Sequence, residues 1–334
     1  MRGAAGEIIL NRRVKIAEGE KRPGPAGRER KGEPMNSMIL EGGAFRGVYT
    51  SGVLDVLAEN GVGFDAVVGV SAGALNGINF ISGQIGRSAR INLCYVRDSR
   101  YVGPRALLRS HSVIGFDFLF GEVSDELDPF DNETFFSSPT KFYAVATNCL
   151  NGKPAFFERD HSDILLAARA SASMPLLSRF VQIDGVPYLD GGIACAIPYQ
   201  WALDAGHEKV VLVLTRQKGY RKEPLSYKMK ELYYRTYRKY PALMRQLLSA
   251  QQRYNRMQEE LEELEDFYRR VLHTEDPLAL LQKSVTQDRS ERRSDTPERQ
   301  NRPGHRAPLG LVIALLVLAA VCFALLVALT LLPE

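Results

Sequence analysis

The sequence is poor in the residues that build metal sites and disulfide frameworks. Its four cysteines, Cys94, Cys149, Cys195 and Cys322, are widely separated, form no CxxC pair and have no histidine cluster beside them. That pattern speaks against a zinc site and against a disulfide-stapled scaffold, and it fits a reducing compartment. No metal and no cofactor are expected. Charge of one sign is also scarce: 43 Lys and Arg against 39 Asp and Glu leave a formal net charge of +4 over 334 residues, with the excess near the two ends. Without a continuous basic face, nucleic-acid binding is not expected. The amino-terminal region lacks the apolar run of about seven or more residues that a secretory signal needs, because Ile8-Ile9-Leu10 is too short.

A hydrophobic content of 45% and a charged content of 25% are enough for a full-sized core. Residues 1–34 carry nine Lys or Arg and five Glu among Gly and Pro, and read as a disordered basic segment. From Met38 onward, short apolar runs alternate with amphipathic stretches, which predicts an α/β fold with a mostly parallel central sheet flanked by helices. Strands are expected at Met38–Leu40, Phe64–Val70, Phe142–Thr147, Val186–Leu189 and Lys209–Thr215, with helices over Gly47–Glu59 and from Ala72. The segment 87–137 mixes Gly, Pro and aromatics and reads as short helices and loops over the site. The core domain is drawn at 35–218.

Residues 219–283 read as a helical extension packed on that core, with Leu243, Leu247, Tyr254, Met257, Leu261 and Leu264 at helical spacings. Residues 284–308 are a charged linker. Leu309 to Leu332 is a run of 24 residues without a charge, longer than the roughly 20 needed to cross a bilayer. One transmembrane helix is therefore expected there. Arg299, Arg302 and Arg306 precede it, which predicts a single-pass tail anchor with the folded domain on the cytoplasmic side.

Gly69-Val70-Ser71-Ala72-Gly73 is a GxSxG pentapeptide between an apolar strand and an Ala-rich helix start, the context of a nucleophile elbow. The sharp turn needs small neighbours, which Gly69, Ala72 and Gly73 supply. Glu41-Gly42-Gly43-Ala44-Phe45-Arg46-Gly47 also joins a strand to a helix. Its small residues leave backbone N–H groups free to face an oxyanion, and Arg46 is a candidate to support the loop. A dinucleotide-binding GxGxxG would need glycine at position 44 and would leave Ser71 unexplained.

A nucleophilic serine needs a base, ordinarily histidine. His305 lies in the linker, His273 follows the long helix, and His207 precedes the last strand, at the sheet edge opposite Ser71. His111 and His161 fall in irregular or helix-starting segments. Asp190, at the end of a short strand and followed by Gly191-Gly192, is better placed, because two glycines allow close approach.

EGGAFRG, GVSAG and DGG, in this order, resemble the three blocks of the patatin-like phospholipases of bacterial type over about residues 38–215. The resemblance implies an α/β fold, a Ser-Asp dyad of Ser71 and Asp190, and an oxyanion hole from the backbone of Gly42, Gly43 and Ala44. Gly47, Gly69, Gly73, Gly191 and Gly192 complete the blocks. Two positions depart from the family pattern: Glu41 stands where Asp is common, and Ala44 where a third glycine is. The function expected is a carboxylic ester hydrolase acting on phospholipids or lysophospholipids presented by a membrane. The alternatives are a Ser-His-Asp esterase on soluble acyl esters and an inactive membrane-tethered interaction module.

Overall fold

The computed structural model describes residues 7–11 and 35–272. The linker and the expected membrane span, 284–308 and 309–332, lie outside the described residues. Among the described residues no helix is long and apolar enough to cross a membrane.

In chain order the strands are β1 (Glu7–Asn11), β2 (Asn36–Leu40), β3 (Ala66–Val70), β4 (Lys141–Asn148), β5 (Pro154–Glu158), β6 (Val181–Ile183), β7 (Val186–Asp190) and β8 (Lys209–Val213). The helices are α1 (Gly47–Glu59), α2 (Ala72–Ile81), α3 (Arg87–Tyr95), α4 (Pro104–Ser110), α5 (Phe116–Phe118), α6 (Asn132–Ser137), α7 (Ile164–Ser171), α8 (Tyr199–Asp204), α9 (Tyr227–Tyr237) and α10 (Pro241–Leu272). A helical stretch, Leu119–Leu127, broken by a kink at Gly121 (φ −101°, ψ −107°), follows α5.

The strands form one sheet in the order β1-β8-β2-β3-β4-β7-β6, with β5 also on β4. β8, β2, β3 and β4 run parallel, while β1, β5, β6 and β7 pair antiparallel. This corrects the expectation of a mostly parallel sheet: only its centre is parallel. The reason is connection length. β6 and β7 are joined by Asp184-Gly185, both at positive φ (51° and 75°), the backbone of a tight hairpin, and five residues join β4 to β5. Such links cannot make the crossover that parallel pairing requires. A second correction concerns the segment 1–34, read above as disordered throughout. Glu7–Asn11 pairs antiparallel with β8, since a short apolar run can add to a sheet edge that offers unpaired backbone groups.

The central strands are apolar on both faces. Met38, Leu40, Val67, Ala144 and Ala146 face a core closed by α1, α2, α6 and α7. Ile39, Val68, Val70, Val145 and Leu212 face another core closed by α8 and by Tyr254 and Leu261 of α10. This alternation with period two, buried on both sides, is why the strands read as continuous apolar runs.

One detail of register positions the site. β3 pairs with residues 141–145 of β4 and β7 with residues 146–148, while β5 pairs with 143–147 and overlaps both. β5 must therefore occupy one edge of β4, and β3 and β7 share the other. They run in opposite directions along it, so their carboxyl ends converge: Val70 is opposite Val145, and Asp190 opposite Ala146.

Candidate active site

The residue after Val70 is Ser71, so the head-on meeting of β3 and β7 brings it against Asp190. The Ser71 hydroxyl donates to Asp190 Oδ2 at 2.6 Å, and both residues are buried. Asp190 Oδ1 accepts the Gly192 N–H at 2.8 Å, which fixes the carboxylate plane. Burial raises the Asp190 pKa from 3.8 to about 6; the bonds from Ser71 and Gly192 and the charge of Lys222 pull the other way.

Ser71 has φ 57° and ψ −125°, a strained backbone for a residue with a side chain. The surroundings impose it. A Cβ at Gly69 would lie 2.4 Å from Ala74 Cα, and one at Gly73 would lie 2.3 Å from the Leu40 carbonyl oxygen. The elbow thus closes only with glycine on both sides, and α2 then starts at Ala72 with its positive end toward the serine. Gly191 is as constrained: a Cβ there would meet the Val145 carbonyl at 2.0 Å.

The 42–44 loop lies against the serine. A Cβ at Gly42 would fall 2.8 Å from Ser71 Cβ, and one at Gly47 would fall 3.0 Å from Ala72 Cβ. The amides of Gly42, Gly43 and Ala44 donate to no protein acceptor among the described residues, and so are open to an incoming anion. Ala44 takes φ 48°, so alanine accepts the left-handed geometry that a glycine would hold without strain. Arg46 supports the loop only through its backbone, its N–H donating to the Gly43 carbonyl at 3.1 Å, and its side chain is exposed.

The motifs do not reveal three further participants. Ser171, at the end of α7, accepts the Ser71 N–H at 2.8 Å and donates to the Val145 carbonyl at 2.6 Å, holding the elbow to β4. Thr215 donates its hydroxyl to the Gly42 carbonyl at 2.7 Å and its N–H to Glu41 Oε2 at 2.6 Å. Tyr254 of α10 donates to Glu41 Oε1 at 2.8 Å, and its own oxygen accepts from Gln258. Glu41 is thus a buried brace between the 42–44 loop, the end of β8 and α10. The cue for Thr215 was its place at the end of the expected strand Lys209–Thr215; for Ser171 and Tyr254 there was none.

Among the described residues the histidines stay away from Ser71 and Asp190. His207 is buried against Trp201 beside the amino end of β8, its Nδ1 without a partner, and burial lowers its pKa. His111 is an exposed cap of α4, and His161 is exposed beside Glu158. His273 and His305 lie outside the described residues.

A cavity of about 1080 Å³, counting the part open to solvent, runs from Ser71. Leu75, Ile78, Ile91, Leu119, Phe120 and Leu165 give it an apolar lining, with Phe45 also on its wall. Arg87 lies farther along, its guanidinium committed to Asn79, Ser124 and the Asp128 carbonyl. Apolar walls beside a few convergent polar groups are the usual form of a small-molecule site.

Fold and site together set a serine, in a strained strand-to-helix elbow, against a buried carboxylate. Residues 38–203 match the family model described as patatin-like phospholipase, and residues 244–330 match a family of unknown function. The chain belongs to the patatin-like phospholipase family, whose members are hydrolases of the esterase or lipase type. An uncharacterised Escherichia coli protein, YjjU, is 32% identical over 184 residues, covering 54% of this chain and 51% of the relative. An uncharacterised NTE family protein of Mycobacterium tuberculosis is 28% identical over 185 residues, covering 53% and 48%. The chain thus spans about half the length of these curated relatives. Tyr254 and Gln258 fall outside the patatin match, so the brace on the oxyanion loop comes from the region shared with the family of unknown function.

Proposed function

We propose that this protein hydrolyses carboxylic esters of phospholipids or lysophospholipids through the Ser71–Asp190 dyad and an acyl-enzyme. The observation that carries this reading is the 2.6 Å bond to a buried carboxylate from the hydroxyl of a serine that lines an apolar cavity. Asp190 accepts the Ser71 proton as Oγ attacks the ester carbonyl. The oxyanion takes up the free amides of Gly42, Gly43 and Ala44. As the intermediate collapses, the proton passes from Asp190 to the leaving alkoxide. Water, deprotonated by the same carboxylate, then attacks the acyl-enzyme, and as the fatty acid leaves, Asp190 returns that proton to Ser71 Oγ. A base with pKa about 6 is well matched to this work near neutrality.

The acyl chain occupies the Leu75–Phe120 cavity. The uncharged run 309–332 supports a membrane anchor that keeps the site, on the cytoplasmic face, near its lipid. The test is to incubate the full chain with a mixed lipid extract and identify which species disappear. Wild type is expected to consume acyl lipids and to be labelled by a fluorophosphonate, and Ser71→Ala to do neither. Labelling that persists in Ser71→Ala at another residue refutes the assignment.

A further inference from the structure

The segment after β8 carries four cations, and α10 neutralises only two of them. Lys218 reaches Asp266 at 2.8 Å and Glu265 at 3.3 Å, and Arg221 pairs with Glu262 at 2.8 Å. Arg216 and Lys222 make no side-chain hydrogen bond or ion pair among the described residues, and Arg216 Nε is enclosed without an acceptor. Both stand instead on one aromatic pair. The Arg216 guanidinium lies 4.0 Å from the centroid of the Tyr220 ring, and Lys222 Nζ lies 4.0 Å from that of Tyr254. The two rings meet edge to face at 6.3 Å.

This pair lies beside the oxyanion loop. β2 and β8 are parallel, with Leu40 opposite Val213, so residues 42–44 and 215–216 leave the same sheet edge next to each other. Tyr254, under Lys222, is the residue bonded to Glu41. The two carboxylates nearby, Glu41 and Asp190, have all four oxygens engaged by Thr215, Tyr254, Ser71 and Gly192. Burial lowers the Lys222 pKa, Glu41 and Asp190 raise it, and Arg216 and Arg46 lower it further. A bound anion would relieve that crowding of cations. No residue of β8, of 216–222 or of α10 lines the acyl cavity, so an ester whose chain fills the cavity has its alcohol portion free to extend elsewhere.

We propose that Arg216 and Lys222 form an anion subsite for a phosphate carried on the alcohol portion of the substrate. A guanidinium and an ammonium suit the two modes of phosphate contact, forked and point-charge. This inference rests on the hydrolase reading and assigns recognition of the substrate's phosphate to Arg216 and Lys222.

The experiment compares kcat/KM of the full chain for a 1-acyl lysophosphatidic acid and for the monoacylglycerol with the same acyl chain. Wild type is expected to prefer the phosphate ester, and Arg216→Gln and Lys222→Met each to cut that preference about tenfold or more. Arg235→Gln, on the exposed face of α9 and paired with Glu231, is expected to leave the ratio where it was. Turnover of both lipids with one ratio in all four proteins overturns the subsite and leaves the hydrolase reading standing. So does a parallel fall on both lipids, because that marks an effect on Asp190. Absence of turnover with either lipid counts against the hydrolase reading instead. The subsite is then decided by protection of Ser71 from fluorophosphonate labelling: glycerol 3-phosphate is expected to protect and glycerol not to. Equal protection by glycerol, or protection undiminished in Arg216→Gln and Lys222→Met, overturns it. Protection by inorganic phosphate as strong as by glycerol 3-phosphate also overturns it, since it marks a free-anion site.

Discussion

Asp190→Asn should make the protein inactive and, at alkaline pH, more stable. The folded protein holds the Asp190 proton more tightly than the unfolded chain does, with a pKa of about 6 against 3.8. At 1.36 kcal/mol per pH unit, the difference amounts to roughly 3 kcal/mol. Its sign follows from proton binding. Between these two values the unfolded chain has lost the proton and the folded protein has not, so stability falls as pH rises. The contribution is whole below about pH 4 and gone above about pH 6, where the buried carboxylate is ionised. Asparagine keeps the shape and can still accept the Gly192 N–H, but it has no charge to bury. The stability of Asp190→Asn relative to wild type should therefore improve by roughly 3 kcal/mol between pH 4 and pH 8. Urea unfolding of both proteins across that range measures it, and the other titrating groups cancel in the difference. A difference that is flat with pH, or that moves against the variant, refutes the picture of Asp190 as a desolvated base. The same titration should appear in wild-type kinetics as a kcat/KM that falls about tenfold per pH unit below about pH 6.

Other perturbations probe other links. Tyr254→Phe leaves Glu41 Oε1 without its donor inside the protein, at a cost of about 1–3 kcal/mol. The oxyanion loop loses its brace, so kcat should fall with little change in KM; an unchanged kcat in steady-state assays removes α10 from the catalytic apparatus. Gly191→Ala drives a methyl group to 2.0 Å from the Val145 carbonyl and should cost about 3 kcal/mol or more by urea unfolding. A soluble variant of wild-type stability would contradict the close approach of β7 and β4. His207→Gln should leave kcat/KM per folded molecule where it was, whereas loss of a triad histidine costs about 10⁶-fold.

Much of the local structure was legible in the residues themselves. The helix expected over Gly47–Glu59 has those bounds, and the one expected from Ala72 begins there. Turn glycines code for conformations that neighbours alone can read, which is why GVSAG and DGG pointed to a serine and an aspartate that the fold brings into contact. The mixed sheet was not seen, although Asp184-Gly185 is a strong hairpin signal lying between two short strands. The strand at Glu7–Asn11 was hidden because an edge strand depends on the sheet that it joins.

By itself, the sequence determined which residues had the chemistry: a serine in an elbow that only small neighbours permit, an aspartate followed by two glycines, and a loop of small residues with amides to spare. It also determined the uncharged run at 309–332. The tertiary structure decided how these parts meet. Ser71 and Asp190 are 119 residues apart, and they touch because β3 and β7 run head-on along one edge of β4, a matter of strand pairing that no local pattern encodes. Burial then raised the pKa of the aspartate, and α10 brought Tyr254 to the loop. Desolvation and long-range pairing are sums over the whole packed chain, so they exist only once it has folded.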